Sequence, residues 1–290
     1  MSAHTHDDVD WAARLTAMRR LDDLERDTLE SVAARITTDL PSGGTVVDVG
    51  SGAGGMSAAL AGALRAHGGG TVFLVDAVDE LLAAAREAAQ ASGGPDVRVE
   101  AVVADAGTQP LDELVPPADL VWASAVVHHL PDQQRAVDRL AAALRPGGLL
   151  AIAEGGLDTR CLPWDLGLGR PGLEQRLNAN RDDWFEQMRA TMPDAVRMPY
   201  GWNTALARAG LADITSFSYL LDHPAPADER VRDFAVERLT WLSEMADEKL
   251  DDEDRDAVRR LLDPESPDYI GNRDDLYLLN ARTVHIGRRT

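Results

Sequence analysis

Residues 46–54 read Val-Val-Asp-Val-Gly-Ser-Gly-Ala-Gly, and no other stretch restricts the fold as much. An apolar β-type run breaks after Asp48 into glycines at 50, 52 and 54. Met56, Ala59, Leu60, Ala63 and Leu64 then recur at helical spacing. Strand, tight turn and helix start, in that order, let a ligand approach bare backbone because no Cβ stands in the way. The helix N-terminus behind the turn adds unpaired N–H groups and the positive end of a dipole. A nucleotide-like cofactor is the expectation.

The alternation continues along the chain. Strand-like runs at 45–49, 71–76, 97–103, 118–123 and 148–154 enclose helix-like runs near 55–66, 78–91 and 132–145. The connection 104–117 is short and broken by Pro110, Pro116 and Pro117. Thr71 to Val75 is apolar almost throughout, as suits a strand buried on both faces of a parallel sheet. Ligands in such sheets sit outside the carboxyl ends of the strands. Upstream, residues 9–40 are helical in pattern, with Trp11, Leu15 and Met18 followed by Leu29, Val32, Ile36 and Leu40. Downstream, helices are expected over 173–191 and 201–209 and strands over 212–220 and 275–287, with a two-helix insertion inside 224–272.

Charge and cysteine content narrow the partners. The 290 residues carry a net charge of −20, which repels phosphate backbones and argues against nucleic acid. Cys161 is the only cysteine, so no intrachain disulfide can form. No signal-like or membrane-spanning apolar run is present, and a cytoplasmic protein with no membrane partner is expected. His4 and His6 are read as part of a disordered polar tail rather than a metal site. Asp252, Asp254 and Asp256 alternate like a calcium loop, but Ala257 stands where glycine is required and Asp263 where a glutamate should be. They are read as a helix start, and no metal is expected.

Gly50, Gly52 and Gly55 match G-x-G-x-x-G, a pattern many dinucleotide enzymes share. Three carboxylates sharpen it. Asp76 closes the second strand, where it can accept ribose hydroxyls. Asp105 closes the third, where a carboxylate and a backbone N–H suit adenine. Asp48 precedes the glycines; it would repel a pyrophosphate but suits a ligand bearing an ammonium and a sulfonium.

Asp48-Val-Gly-Ser-Gly-Ala-Gly54, Val75-Asp76, Ala104-Asp105-Ala106, Asp119-Leu-Val-Trp-Ala-Ser124, His128-His-Leu-Pro-Asp132 and Leu144-Arg-Pro-Gly-Gly148, taken in order, resemble the class I S-adenosylmethionine-dependent methyltransferases, in particular the quinone-biosynthesis-type and small-molecule subgroup. The resemblance is strong over about residues 40–155 and extends to 201–222 and 275–287. It implies an α/β fold: a Rossmann-like, doubly wound, seven-stranded sheet, mostly parallel with the last strand antiparallel. Residues 1–40 would form an N-terminal helical lid, and 41–290 the methyltransferase domain with cap insertions at about 155–200 and 224–272. Gly50, Ser51, Gly52 and Gly54 would wrap the methionine part of the cofactor, near Asp48. Asp76 would bind the ribose, with Ala77 beside it; Ala77-Val78 departs from the polar pair that relatives often carry. Asp105 and Ala106 would bind the adenine, and Ala123 and Ser124 would lie near the donor methyl.

Each acid has a structural alternative: Asp48 could cap the following helix or pair with an arginine, Asp76 could be a plain strand-end acid, and Asp105 could cap a helix. His128 and Glu154 are the candidate catalytic groups. For His128 the alternative is a strand-to-helix turn, and for Glu154 a buried hydrogen-bonded acid. The expected function is S-adenosylmethionine-dependent methyl transfer to oxygen, nitrogen or carbon of a small-molecule acceptor, in secondary metabolism. The rivals are a nicotinamide-dependent oxidoreductase and a non-catalytic cofactor-binding regulator of the same fold. A homodimer through the added helices is left open.

Overall fold

A computed structural model describes residues 11–246 and 249–290. The His4 and His6 reading lies outside the described residues. Seven strands form one sheet: β1 (Gly44–Val49), β2 (Gly70–Asp76), β3 (Val97–Val103), β4 (Ala118–Ser124), β5 (Leu144–Arg160), β6 (Leu211–His223) and β7 (Leu278–Arg289). Their order is β3-β2-β1-β4-β5-β7-β6, with β7 antiparallel to the rest. The strand order reverses between β1 and β4, which pair in parallel with Val49 beside Ala123. The doubly wound reading therefore holds, and a ligand crevice is expected outside the carboxyl ends of these two strands.

The side-chain period of two sorts each strand between two cores. Val46, Leu120, Trp122, Ala151 and Ala153 face one side, against helices α1 (Trp11–Thr37), α2 (Gly55–Ala66) and α3 (Asp79–Gly93). Val47, Val49, Val121, Ala123, Leu150 and Ile152 face the other, against α5 (Gln133–Ala142) and α7 (Trp202–Arg208). The single-turn α4 (Leu111–Leu114) sits in the proline-broken connection. By the same alternation Asp48 points to the α1–α3 side and Glu154 to the α5 side.

The N-terminal segment is one helix of 27 residues. Leu29, Val32, Ala33 and Ile36 recur three and four apart and are buried in the α1–α3 core. β5 begins four residues before the expected 148 and ends six after 154. Its early part pairs irregularly: Ala118 lies opposite Leu144 but Leu120 opposite Leu149, so Arg145 to Gly148 bulge rather than end a helix.

The chain divides into two compact units. The first holds residues 1–156, 193–219 and 282–290; the second holds 157–192 and 220–281. The second unit contains α6 (Leu173–Thr191), α8 (Glu229–Ala246) and α9 (Asp252–Leu262). Its core includes Leu177, Val231, Ala235, Leu239, Leu242 and Leu261. Asp251 caps α9 by accepting the Asp254 N–H at 2.9 Å, and Arg176 holds the Asp254 carboxylate at 2.6 Å. The alternating acids are thus a capped helix start, and no trio of metal-ligating side chains occurs among the described residues.

Candidate active site

The turn after β1 is built so that only glycine fits. Gly50 has φ +69°, and a Cβ there would lie 2.2 Å from Cγ2 of Val126. Gly54 has φ +99°, and its Cβ would meet Cα of Ala85 at 2.6 Å, so it permits α2 to pack on α3. The Gly50 N–H donates to the Val75 carbonyl at 2.7 Å, tying the loop to the end of β2.

Carboxylates surround this loop. Asp76, at the end of β2, accepts the Gly52 N–H at 3.0 Å and the Val78 N–H at 3.0 Å. Asp48, 2% exposed, accepts the Ser57 hydroxyl at 2.5 Å. Burial, opposed by that hydrogen bond and aided by Asp76 and Asp22, pushes its pKa up to about 7. The third acid is one sequence reasoning missed. Asp22 of α1 accepts the Gly55 N–H at 2.9 Å, capping α2 from a distant helix. Burial raises its pKa to about 6, against that hydrogen bond and with help from Glu25. Its only sequence signal is an acid on a helical stretch otherwise read for its apolar stripe.

Asp105 is half-buried and closes its own turn. Its carboxylate accepts the Gly107 N–H at 2.7 Å and the Thr108 hydroxyl at 2.9 Å. Ala106 is half-buried beside it, and Ala77 is exposed next to Asp76. Ser51 is buried, and its hydroxyl has no hydrogen-bond partner among the described residues. An unpaired buried hydroxyl in a ligand-type loop is a group awaiting a partner.

The far side of the crevice is built at the ends of β4 and β5. Ser124 ends β4, and Ala125 follows at φ +54°, a left-handed conformation unusual for a side-chain-bearing residue. The chain then turns through Val127 to His129. Glu154 anchors this turn from β5. One carboxylate oxygen accepts the Val126 and Val127 N–H groups at 3.0 and 2.7 Å. The other meets Nδ1 of His128 at 2.6 Å. The Glu154 side chain is 1% exposed. An ionised carboxylate can only accept, so Nδ1 carries the hydrogen of this contact.

A groove of about 410 Å³ opens between α1, α2 and α3, lined in part by Arg26 and Glu87 and reaching Asp22, Gly54 and Gly55 at the glycine turn. It includes neither Asp76, Ser124 nor His128.

Strand order, glycine turn and acid-tipped strands define a Rossmann-like methyltransferase domain. The family described as "Methyltransferase domain" matches residues 47–150. It is 33% identical over 144 residues to trans-aconitate 2-methyltransferase of Variovorax paradoxus, covering 50% of this chain and 49% of that one. It is also 33% identical over 126 residues to the ubiquinone biosynthesis O-methyltransferase of Xylella fastidiosa, covering 43% of this chain and 46% of that one. The chain thus spans about half the length of the curated relatives it matches. Among solved structures, the YcgJ protein of Bacillus subtilis shares the fold with a TM-score of 0.50 and 20% identity, over 91% of this chain and 99% of that one. A Bacillus halodurans methyltransferase-type structure shares it at a TM-score of 0.50 and 17% identity, over 90% and 100%.

The residues fit the family's cofactor and not a dinucleotide. A pyrophosphate needs free N–H groups at the loop and helix start. Here Asp76 holds the Gly52 N–H and Asp22 holds the Gly55 N–H. Asp76 and Asp22 both raise the pKa of Asp48, a crowding that a cationic ligand relieves.

Proposed function

We propose that this protein methylates a hydroxyl group of a small molecule, using S-adenosylmethionine. The observation that carries the reading is the crowding of Asp22, Asp48 and Asp76 around one glycine loop, which favours a sulfonium and ammonium ligand. The loop with Ser51 would hold the methionine part. Asp76 would take the ribose through the lone pairs its two backbone bonds leave open. Asp105 and Ala106 would border the adenine, and Ser124 the donor methyl.

When bound, the cofactor supplies an activated methyl group and leaves as a neutral thioether. The protein then has to position the acceptor, exclude water and remove a proton. His128 is set up for the last task. Glu154 fixes the Nδ1–H tautomer, so Nε2 can take the hydroxyl proton as the oxygen attacks, and the Glu154 carboxylate stabilises the resulting imidazolium. A relative named for O-methyl transfer supports a hydroxyl acceptor.

Residues 1–40 would serve as a lid, and the insertions at about 155–200 and 224–272 as the cap that selects the acceptor. Leu157, Trp164, Trp184 and Leu220 are exposed apolar side chains of the second unit, which supports an acceptor with an apolar body. The net charge of −20 argues against a phosphate-backbone substrate, and we take the acceptor to be a small molecule met in the cytoplasm.

Calorimetry with S-adenosylmethionine, S-adenosylhomocysteine and a reduced nicotinamide dinucleotide tests the cofactor assignment. Both sulfur nucleotides should bind, and Asp76→Ala should bind them much more weakly. Binding of the dinucleotide alone, or unaltered binding by Asp76→Ala, sinks the reading. A screen of hydroxylated compounds with methyl-labelled cofactor then separates an enzyme from a cofactor-binding regulator.

A further inference from the structure

One acid on the polar side of α1 is withdrawn from solvent. Glu25, one turn beyond Asp22 on the same helix face, is 3% exposed. Its carboxylate pairs with Nη2 of Arg282, on β7, at 3.2 Å. Nη1 of Arg282 reaches the Ser124 hydroxyl at 3.4 Å. One guanidinium therefore touches both the N-terminal helix and the end of β4. Tyr219 of β6 adjoins it, its hydroxyl pushed up to about 12 by burial while Arg282 works the other way. Burial alone would lower the Arg282 pKa, but Glu25, Tyr219, Asp22 and Glu154 together hold it above its ordinary value. Arg282 stays charged.

A buried ion pair is a poor source of net stability, because desolvation offsets most of the attraction. Where one persists, its fixed geometry is the more informative property. Here the geometry joins two halves of the site. Three residues before Glu25, Asp22 caps the Gly55 N–H, and a Cβ on Gly52 would come within 2.9 Å of Cε of Met18. α1 thus reaches the cofactor loop through Met18 and Asp22, and Ser124 through Glu25 and Arg282.

We infer that Glu25 and Arg282 are positioning residues for methyl transfer: their ion pair holds α1 down on the glycine loop and at the same time aims the Ser124 hydroxyl at the end of β4. Closing the cofactor site and setting the methyl end are then one event. This rests on the methyltransferase reading. It assigns the α1–β7 pair a role that neither residue shows in the sequence.

The test is S-adenosylhomocysteine affinity by calorimetry, together with amide hydrogen exchange at Gly55, in wild type, Glu25→Gln, Arg282→Lys and Val284→Ala. Val284 is a fully buried neighbour on β7 and controls for lost packing alone. Glu25→Gln should weaken binding about tenfold or more and speed exchange at Gly55, although Asp22 is untouched. Arg282→Lys keeps the charge but not the two-nitrogen reach and should show the same pattern to a smaller degree. Val284→Ala should lower the melting temperature without either effect. Wild-type affinity and wild-type Gly55 exchange in both Glu25→Gln and Arg282→Lys overturn the inference and leave the methyltransferase reading standing. The same holds if Val284→Ala loses affinity as much as they do. Failure of wild type itself to bind overturns the reading beneath it.

Discussion

Asp48 is the residue whose chemistry is most altered by its place. Its ordinary pKa of 3.8 is raised to about 7 by burial, with Asp76 and Asp22 adding to the rise and Ser57 opposing it. A folded-state pKa above the unfolded value means that the folded protein holds the proton longer. The stabilising contribution of this group is therefore complete at low pH and is lost as pH rises from about 4 towards 7. A cationic ligand reverses the preference, since it favours the ionised acid. S-adenosylmethionine should bind about tenfold more tightly near pH 8 than near pH 6, with proton release, and Asp48→Asn should flatten that profile. Calorimetry in two buffers of different ionisation enthalpy checks both. At the other end of the crevice, His128→Ala should lower kcat by about a hundredfold or more while leaving S-adenosylhomocysteine affinity near wild type. Glu154→Gln should follow it, because the amide no longer dictates which ring nitrogen carries the hydrogen; steady-state kinetics on any identified acceptor decides. The sequence shows these residues unevenly. Asp48, Asp76 and Asp105 stand out because each lies at or beside the carboxyl end of a strand. The contact between Glu154 and His128 does not, because it joins side chains from two strand ends 26 positions apart.

At the level of elements, the strand–turn–helix unit is specified locally and α1 is not. Gly54 shows what the local code contains. It permits the left-handed turn and the close approach of Ala85, so Gly54→Ala adds strain and a clash together. It should destabilise the folded protein by about 2 kcal/mol or more in urea unfolding, with S-adenosylhomocysteine restoring part of the loss. The apolar spacing of α1 gives a helix and its buried face but not what its acids meet. Asp22 meets Gly55, and Glu25 meets Arg282 at the other end of the chain. Burial of acids on a half-polar helix leaves no periodic signature. β5 was harder for a different reason: Pro146-Gly147-Gly148 reads as a stop, and here it becomes a bulge inside a strand.

For the whole molecule, the two units differ in how much of them the chain discloses. The first follows a strand–helix rhythm that names its fold. The second is assembled from segments 157–192 and 220–281, whose helices are plain in pattern but whose partners are not. Arg238 of α8 reaches Asn178 of α6 at 2.9 Å, and Arg176 of α6 reaches Asp254 of α9. Such cross-helix pairs have no spacing to reveal them. If this unit selects the acceptor, replacing residues 224–272 by a short linker should abolish turnover and retain S-adenosylhomocysteine binding by calorimetry; unchanged turnover refutes the cap role.

The strands that carry the chain between the units bear on how such a protein can change. β5, β6 and β7 each begin or end in one unit and continue into the other, while the glycine loop, Asp76 and Asp105 lie wholly within the first. The excursion 220–281 leaves on β6 and returns on β7, whereas 157–192 leaves on β5 and returns at residue 193, outside any strand. Those crossing points are natural graft junctions. If the second unit selects the acceptor, a laboratory recombination that exchanges 157–192 and 220–281 for the excursions of a relative should change which acceptors are methylated while leaving S-adenosylhomocysteine affinity unaltered.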